Sequence, residues 1–513
     1  MNRSRNSLRN IIVGMGGQLL NIIMSFAYRT VFIHSLSDEY LGINGVFTNI
    51  LMVFSLADLG VGTAIIYALY KPIAENDVKQ IKALMKMYAK VYITIGFVIL
   101  GMGLVCMPFI QHLITTDKDI PHLKLIFMIF VINTASTYFF AYKGTLLTAS
   151  QQHYLVSGVV YGTSVICYIV QIVVMLLTQN YILTLSIQVG TNILQNIITA
   201  AIADRKFPYL KGKNEEKLSD REKKGIFKNM SSLMFYRTGQ VIINGTDSII
   251  ISKFQGVVEA GFYSNYSLIT TTIKNLLLQV FHAITGSIGN LAAVESDAKK
   301  YRTYNLIYFG NFWMFGFCSV CLFVLLNPFV TIWAGKDRVL TLAQVFFIVL
   351  NFYLVGMRNV NLTFRDTMGI FKEGRFIPII SAAVNIIVSI VTTKIFGLIG
   401  AFIGTTVSML TTLVWMEPVI LFKYGFKRNV MDYFVKYVMY FGATVLATVI
   451  TYFIASIFPE GRILYFLGKL IVCAIVPNVV FFALFGRTVE FKDLFSRVKN
   501  TLGRRFLKKK EAA

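Results

Sequence analysis

The sequence predicts an all-α polytopic membrane protein with about fourteen transmembrane helices: two pseudo-symmetric six-helix lobes plus two C-terminal helices. Three observations carry this expectation. Hydrophobic residues make up 56% of the 513 positions and charged residues 14%, with a mean hydropathy of +0.64. A soluble domain is about 45–50% apolar and about 25% charged, so an ordinary cytosolic enzyme is excluded. Apolar runs near the roughly 20 residues that cross a bilayer recur along the whole chain. The basic residues alternate between successive connections, as topology requires.

Bounded by charges and turn residues, the runs fall near 11–33, 44–69, 91–110, 125–145, 155–177, 181–203, 230–252, 258–284, 304–331, 340–360, 376–394, 397–421, 434–456 and 465–486. The first run follows Arg3, Arg5 and Arg9 as in a signal peptide. It lacks an A-x-A-like cleavage site, and Gln18 and Asn21 interrupt it, so it reads as a retained helix. With the amino terminus inside, and residues at span edges counted with the adjoining segment, 38 of the 49 Lys and Arg residues lie on the cytoplasmic side, seven lie outside, and four (Arg29, Arg237, Lys274 and Lys469) lie within spans. Both termini are therefore expected in the cytoplasm. The net charge of +24 is a topology signal, and no nucleic-acid partner is expected.

The expected domains are an N-terminal six-helix lobe (1–203), a charged cytoplasmic linker (204–229), a C-terminal six-helix lobe (230–422), two additional helices (423–486) and a basic tail (487–513). Ser219 and Glu222 in the linker have capping-box spacing. The tail places Phe491, Leu494, Phe495, Val498, Leu502 and Phe506 at helical spacing, which suits either a helix on the anionic inner leaflet or a solvated basic tail. Cys318 and Cys321 form a C-x-x-C, but no second ligand pair stands nearby, so they read as small apolar residues.

The seventh span repeats the first at an offset of 219 residues. Asn10 matches Asn229 and Gly42 matches Gly261. Gln18, Asn21, Ser25 and Tyr28 correspond to Arg237, Gln240, Asn244 and Asp247. The spacing i, i+3, i+7, i+10 puts each set on one helical face. Polar groups are costly against lipid, so each face should look into protein or a wet cavity. Asp58, Lys274 and Glu417 are further ionisable residues within spans. An Asp58–Arg237 or Asp58–Lys274 ion pair and a substrate role both fit their depths. No G-x-x-x-x-G-K-[ST] is present, so an ion gradient is the expected energy source. Depths counted at about 1.5 Å per residue allow Asp247, Asn385 and Thr405 to converge on a sodium ion, or Asp247 to carry a proton. No other cofactor is expected. The outer loops are too short to house an enzyme's active site.

Residues 39–81, EYLGINGVFTNILMVFSLADLGVGTAIIYALYKPIAENDVKQI, resemble the first outer loop and second helix of Wzx-type polysaccharide flippases of the multidrug/oligosaccharidyl-lipid/polysaccharide exporter superfamily. Residues 377–408, IPIISAAVNIIVSIVTTKIFGLIGAFIGTTVS, look like that superfamily's eleventh and twelfth helices. The resemblance implies two lobes working by alternating access in the bacterial cytoplasmic membrane, and no enzymatic activity. The implied substrate is an undecaprenyl-pyrophosphate-linked oligosaccharide for capsule, O-antigen or exopolysaccharide synthesis, with membrane lipids and a polymerase complex as partners. Arg237 and Lys274 are the candidates for the pyrophosphate, with Gln18, Asn21, Gln240, Asn244, Asp58 and Arg29 completing the substrate-facing set. Arg29 is equally placed to snorkel at the outer interface. Lipid II flippases of the superfamily hold sodium between the helices of Asp247, Asn385 and Thr405. Where a second carboxylate is expected there, this chain has Ser389. A lipid II flippase, a drug/cation antiporter and a membrane enzyme of glycan assembly remain the alternatives.

Overall fold

A computed structural model gives the fold. It describes residues 3–55, 66, 68–70, 72–73, 75–115, 120–139, 141–150, 152–211, 218, 239, 241–242, 245–370, 373–459 and 461–496. These residues form helices and no strand. Nine helices among them are long and apolar enough to cross a membrane. The protein is all-α and multi-pass. Contacts divide the chain into two units, Met1–Ser264 and Asn265–Ala513.

In the first unit α1 (Arg3–Ser35) is followed by α2 (Asp38–Phe54), whose first turn carries Asp38 and Glu39, favourable at a helix N-terminus. Next comes α3 (Val78–Cys106), capped by Asp77 Oδ1 accepting from the Gln80 amide at 2.9 Å. The expected fourth span is interrupted, giving α4 (Leu123–Ser136) and α5 (Ala141–Ala149). At the break the hydroxyls of Ser136 and Thr137 donate to the carbonyls of Asn133 and Thr134, which competes with the helical ladder. Two long helices, α6 (His153–Thr178) and α7 (Tyr181–Lys206), form a hairpin through Gln179 in the left-handed region. An amide ladder then joins neighbours. Asn192 Nδ2 donates to Asn133 Oδ1 at 2.7 Å, and Asn196 Nδ2 to the Ser136 carbonyl at 2.9 Å. Thr163 Oγ1 donates to Gln195 Oε1 at 3.1 Å. Interhelical bonds of this kind contribute about 0.6–2 kcal/mol each in a membrane.

The sequence repeat reappears as a contact. Residues 245–255 are helical and lead into α8 (Val257–Val294). The division between the two units falls inside α8, after Ser264. A Cβ added to Gly42 would overlap the carbonyl of Val257, and one added to Gly261 would lie 3.2 Å from the carbonyl of Asp38. Gly261 and Val257 are the repeat mates of Gly42 and Asp38. The contact is therefore reciprocal: each glycine admits the backbone that its mate's helix start presents. Nearby, Asn49 Nδ2 of α2 donates to Ser248 Oγ at 2.8 Å. Thr115, which follows α3, reaches the same place. Thr115 accepts from the Val257 amide at 2.9 Å and donates its hydroxyl to the Lys253 carbonyl at 2.9 Å.

The second unit contains the rest of α8, then α9 (Asp297–Ala334), α10 (Leu342–Met357) and α11 (Asn359–Thr367). A Thr341/Gln344 capping box starts α10. Then α12 (Ile377–Phe396) meets α13 (Leu398–Ser408) across Gly397 at φ 68, a conformation that favours glycine. Side chains on Gly400 or Gly404 would run into Thr392 and Ser389, so these helices pack backbone to backbone, as small-residue membrane interfaces do. The helix continues through a π-helical turn (Met409–Leu413), α14 (Val414–Ile420) and a second π-helical turn (Leu421–Phe426). The last helices are α15 (Met431–Ala455) and α16 (Ile463–Phe485). They pack on α9 through Phe312 stacked on Tyr440 at 4.2 Å and Trp313 Nε1 donating to Asn478 Oδ1 at 2.8 Å.

The start of the tail, helical over 489–496, docks on protein. Phe491 meets the rings of Trp313 and Phe482 at 5.6 and 5.5 Å, and the pairs Lys436–Glu490 and Arg302–Asp493 flank it at 2.8 and 2.6 Å. Burial would raise the Glu490 carboxyl, but the Lys436 hydrogen bond, a backbone hydrogen bond and the Lys436 charge together outweigh it and hold the group below the usual carboxylate range. Val498, Leu502, Phe506 and the Ser219/Glu222 spacing lie outside the described residues.

The reciprocal glycine contact generates a prediction. Gly42→Ala should lower the unfolding midpoint in detergent by several degrees, an overpacking cost of about 1–3 kcal/mol. Gly101→Ala is the control, since nothing lies within 4 Å of its added Cβ. Equal midpoints for both variants would remove the contact from the account.

Candidate functional site

On α1, Gln18, Asn21, Ser25 and Tyr28 are half-buried, whereas Leu19, Leu20 and Ile23 are 52%, 48% and 64% exposed. The polar stripe and the exposed apolar face thus lie on different sides of one helix. Tyr28 reaches Tyr168 of α6 with ring centroids 5.7 Å apart, and Gly17 lets Tyr161 of α6 approach closely. Asn21 Oδ1 is buried without a hydrogen-bond partner. A water or a ligand hydroxyl is what such an acceptor requires. Ser25 Oγ donates to the Ile22 carbonyl at 2.9 Å.

Arg29 does not snorkel. Its guanidinium turns into protein, donates to Ser264 Oγ of α8, and lies 5.8 Å from the Phe32 ring centroid. The reason is local: Tyr28, Phe32, Tyr40 and Tyr181 form an aromatic cluster around it, and a guanidinium is the cation that stacks on such faces.

Lys274 lies near the middle of α8, 17 residues from Val257 and 20 from Val294, or about 26 and 30 Å along the axis. It is half-buried and has no ion pair among the described residues. Beside it Thr271, Asn275 and Gln279 are exposed at spacing i, i+4, i+8. The sequence reading did not single these out. Their periodicity was the available signal, masked because each is an uncharged residue in an apolar run. Three polar groups in one row cannot face hydrocarbon without cost, so this side of α8 suits a wet cavity.

Among the ion-site candidates, Asn385 and Thr405 come together. Asn385 Nδ2 donates to Thr405 Oγ1 at 2.9 Å, both buried between α12 and α13. Asp247 is buried in the first unit, within the helical residues 245–255. Among the described residues no three His, Cys, Asp or Glu side chains group as a metal site. Ser389 donates to the Ala401 carbonyl at 3.4 Å. Asp58, Arg237, Gln240 and Asn244 lie outside the described residues. Glu417 has a partner that the sequence did not disclose: Arg358, at the end of α10, grips it with Nε and Nη2 at 2.9 and 2.7 Å. The pair is almost fully buried, and its bidentate geometry accounts for a carboxylate beside Pro418 inside a span.

Comparison with known proteins follows from this architecture. No curated protein matches the chain. Among solved structures, the lipid II flippase MurJ in an inward closed conformation is similar, with 14% identity over 92% of this chain and 98% of that one and a TM-score of 0.65. An inward-facing multidrug resistance MATE family transporter of the MOP superfamily is 13% identical over 81% and 99%, with a TM-score of 0.60. The MATE transporter VcmN of Vibrio cholerae is 13% identical over 83% and 99%, with a TM-score of 0.58. At these identities the likeness is one of fold. The family described as polysaccharide biosynthesis protein matches residues 7–285, over half of the chain. This protein is a multi-pass membrane protein with the fold of flippases and transporters, and it belongs to the polysaccharide biosynthesis protein family.

Proposed function

We propose that the protein flips undecaprenyl-pyrophosphate-linked oligosaccharide units across the bacterial cytoplasmic membrane, for capsule, O-antigen or exopolysaccharide synthesis. The observation that carries this reading is the polar face of α8, with Lys274 near mid-helix beside Thr271, Asn275 and Gln279. A sugar headgroup needs hydroxyl and amide partners, and a pyrophosphate needs a cation. Family membership supplies the polysaccharide context. The proposed machine consists of lobes 1–203 and 230–422 alternating in access, with both termini cytoplasmic and the prenyl tail left in lipid. Membrane lipids and a polymerase complex are its partners, and it converts no substrate chemically.

A lipid II flippase is the second reading, favoured by the likeness to MurJ. Rescue of peptidoglycan synthesis would support it, whereas rescue of polymer export in a strain lacking its own flippase supports the first. A drug/cation antiporter would more naturally carry an acidic face than Lys274.

The pyrophosphate assignment predicts that Lys274→Ala and Arg237→Ala each abolish polymer export at unchanged protein level. Arg237→Lys should fail as well, because a lysine cannot bind two phosphate oxygens bidentately. Normal export by both alanine variants would end the cationic-site reading. Recovery of either on adding Asp58→Asn would convert it into a structural ion pair.

An ion gradient is the proposed energy source, with Asp247 as the coupling carboxylate and Asn385 and Thr405 as the other oxygen donors. Flipping of a labelled lipid-linked oligosaccharide in proteoliposomes should rise with an imposed sodium or proton gradient. In Asp247→Asn that dependence should vanish. Full dependence in the variant would exclude Asp247 from coupling.

A further inference from the structure

The helix α3 is longer than a bilayer needs. Its 29 residues extend about 44 Å, against a hydrocarbon core of about 30 Å. Its first half carries Lys79, Lys82, Lys86 and Lys90. Steps of three, four and four residues put all four on one face, over about 16 Å of axis. The opposite side, with Ile81, Leu84, Met85, Tyr88 and Tyr92, is buried in protein. Further along the lysine face come Ile93, Phe97 and Leu104, which are 40%, 62% and 55% exposed. One exposed face therefore changes from apolar to cationic between Ile93 and Lys90, which marks where hydrocarbon gives way to headgroups. No Asp or Glu occurs anywhere in α3, and Lys82, Lys86 and Lys90 have no ion pair among the described residues.

Topology rules explain why lysines collect at this end, but they count charges and are blind to helical face. The register is the additional fact. Burial of the opposite side leaves this face to the lysines, and it makes their row continuous with the lipid-exposed side chains. We propose that the lysine face of α3 is a binding surface for anionic phospholipid headgroups of the adjoining leaflet. Lys90 and Lys86 meet the phosphates, while Lys82 and Lys79 extend the attractive field into water within a Debye length of about 8–10 Å. The length of the row favours several headgroups side by side over one pyrophosphate. This surface is separate from the polar face of α8 and does not depend on what the protein transports.

The test uses the full chain in phosphatidylcholine vesicles containing an equal minor fraction of photoreactive phosphatidylglycerol or photoreactive phosphatidylcholine, with crosslinks mapped to the α3 peptide. Phosphatidylglycerol should label that peptide several-fold more than phosphatidylcholine. The excess should collapse in high salt and in the combined variant Lys82→Gln, Lys86→Gln, Lys90→Gln, and should persist when the same three become arginine. Salt titration of the unaltered protein serves if the glutamine variant fails to fold. Equal labelling by the two lipids overturns the proposal, as does an excess that survives high salt. Loss of the excess on adding undecaprenyl pyrophosphate at a far lower mole fraction also overturns it, by assigning the row to a substrate.

Discussion

Hydrocarbon offers no hydrogen bond, and the arrangement of this protein follows from that. Each backbone amide must be satisfied within its own segment, so the chain is helical. Each polar side chain inside a span must then find a partner in protein or in water. Asn192 finds Asn133, Asn385 finds Thr405 and Glu417 finds Arg358. Where polar side chains remain exposed in a row, as on α8, the same rule indicates water rather than lipid. Packing bonds and working surface are two outcomes of one constraint.

The second organising fact is the repeat. Gly42 and Gly261 occupy matching positions in the two halves and meet each other's helix starts. The contact thus joins repeat mates to each other. Backbone can approach backbone there only because neither residue has a Cβ. Arg29 to Ser264 and Asn49 to Ser248 place hydrogen bonds on either side of this crossing. In each pair one partner belongs to a first helix of a half and the other to a second helix of the opposite half.

Much of this was legible in the sequence. Hydropathy gave the class and most spans, and the positive-inside asymmetry supplies an expected orientation. The 219-residue offset identified Gly42 and Gly261 before any contact was known. What escaped was whatever depends on long-range pairing. Nothing in the 340–360 run marks Arg358 as the partner of Glu417, 59 positions later. The break between α4 and α5 was hidden because Ser136 and Thr137 bend a helix only through bonds to their own backbone. The inward turn of Arg29 was hidden because two of the four aromatic rings that draw it inward, Tyr40 and Tyr181, come from other stretches of chain. Thr271, Asn275 and Gln279 are hard to read for a different reason: they carry no charge, although an uncharged polar row has the same physical meaning.

The central claim is that the polar faces of α1 and α8 look into water inside the membrane. Single cysteines in a chain whose five native cysteines are replaced test it directly, through their rate of reaction with a charged thiol reagent that attacks only hydrated thiols. Cysteines at positions 18, 271, 275 and 279 should react readily, while those at 19, 23 and 97 should stay inert. Inert cysteines at 271, 275 and 279, matching the one at 97, would contradict the account.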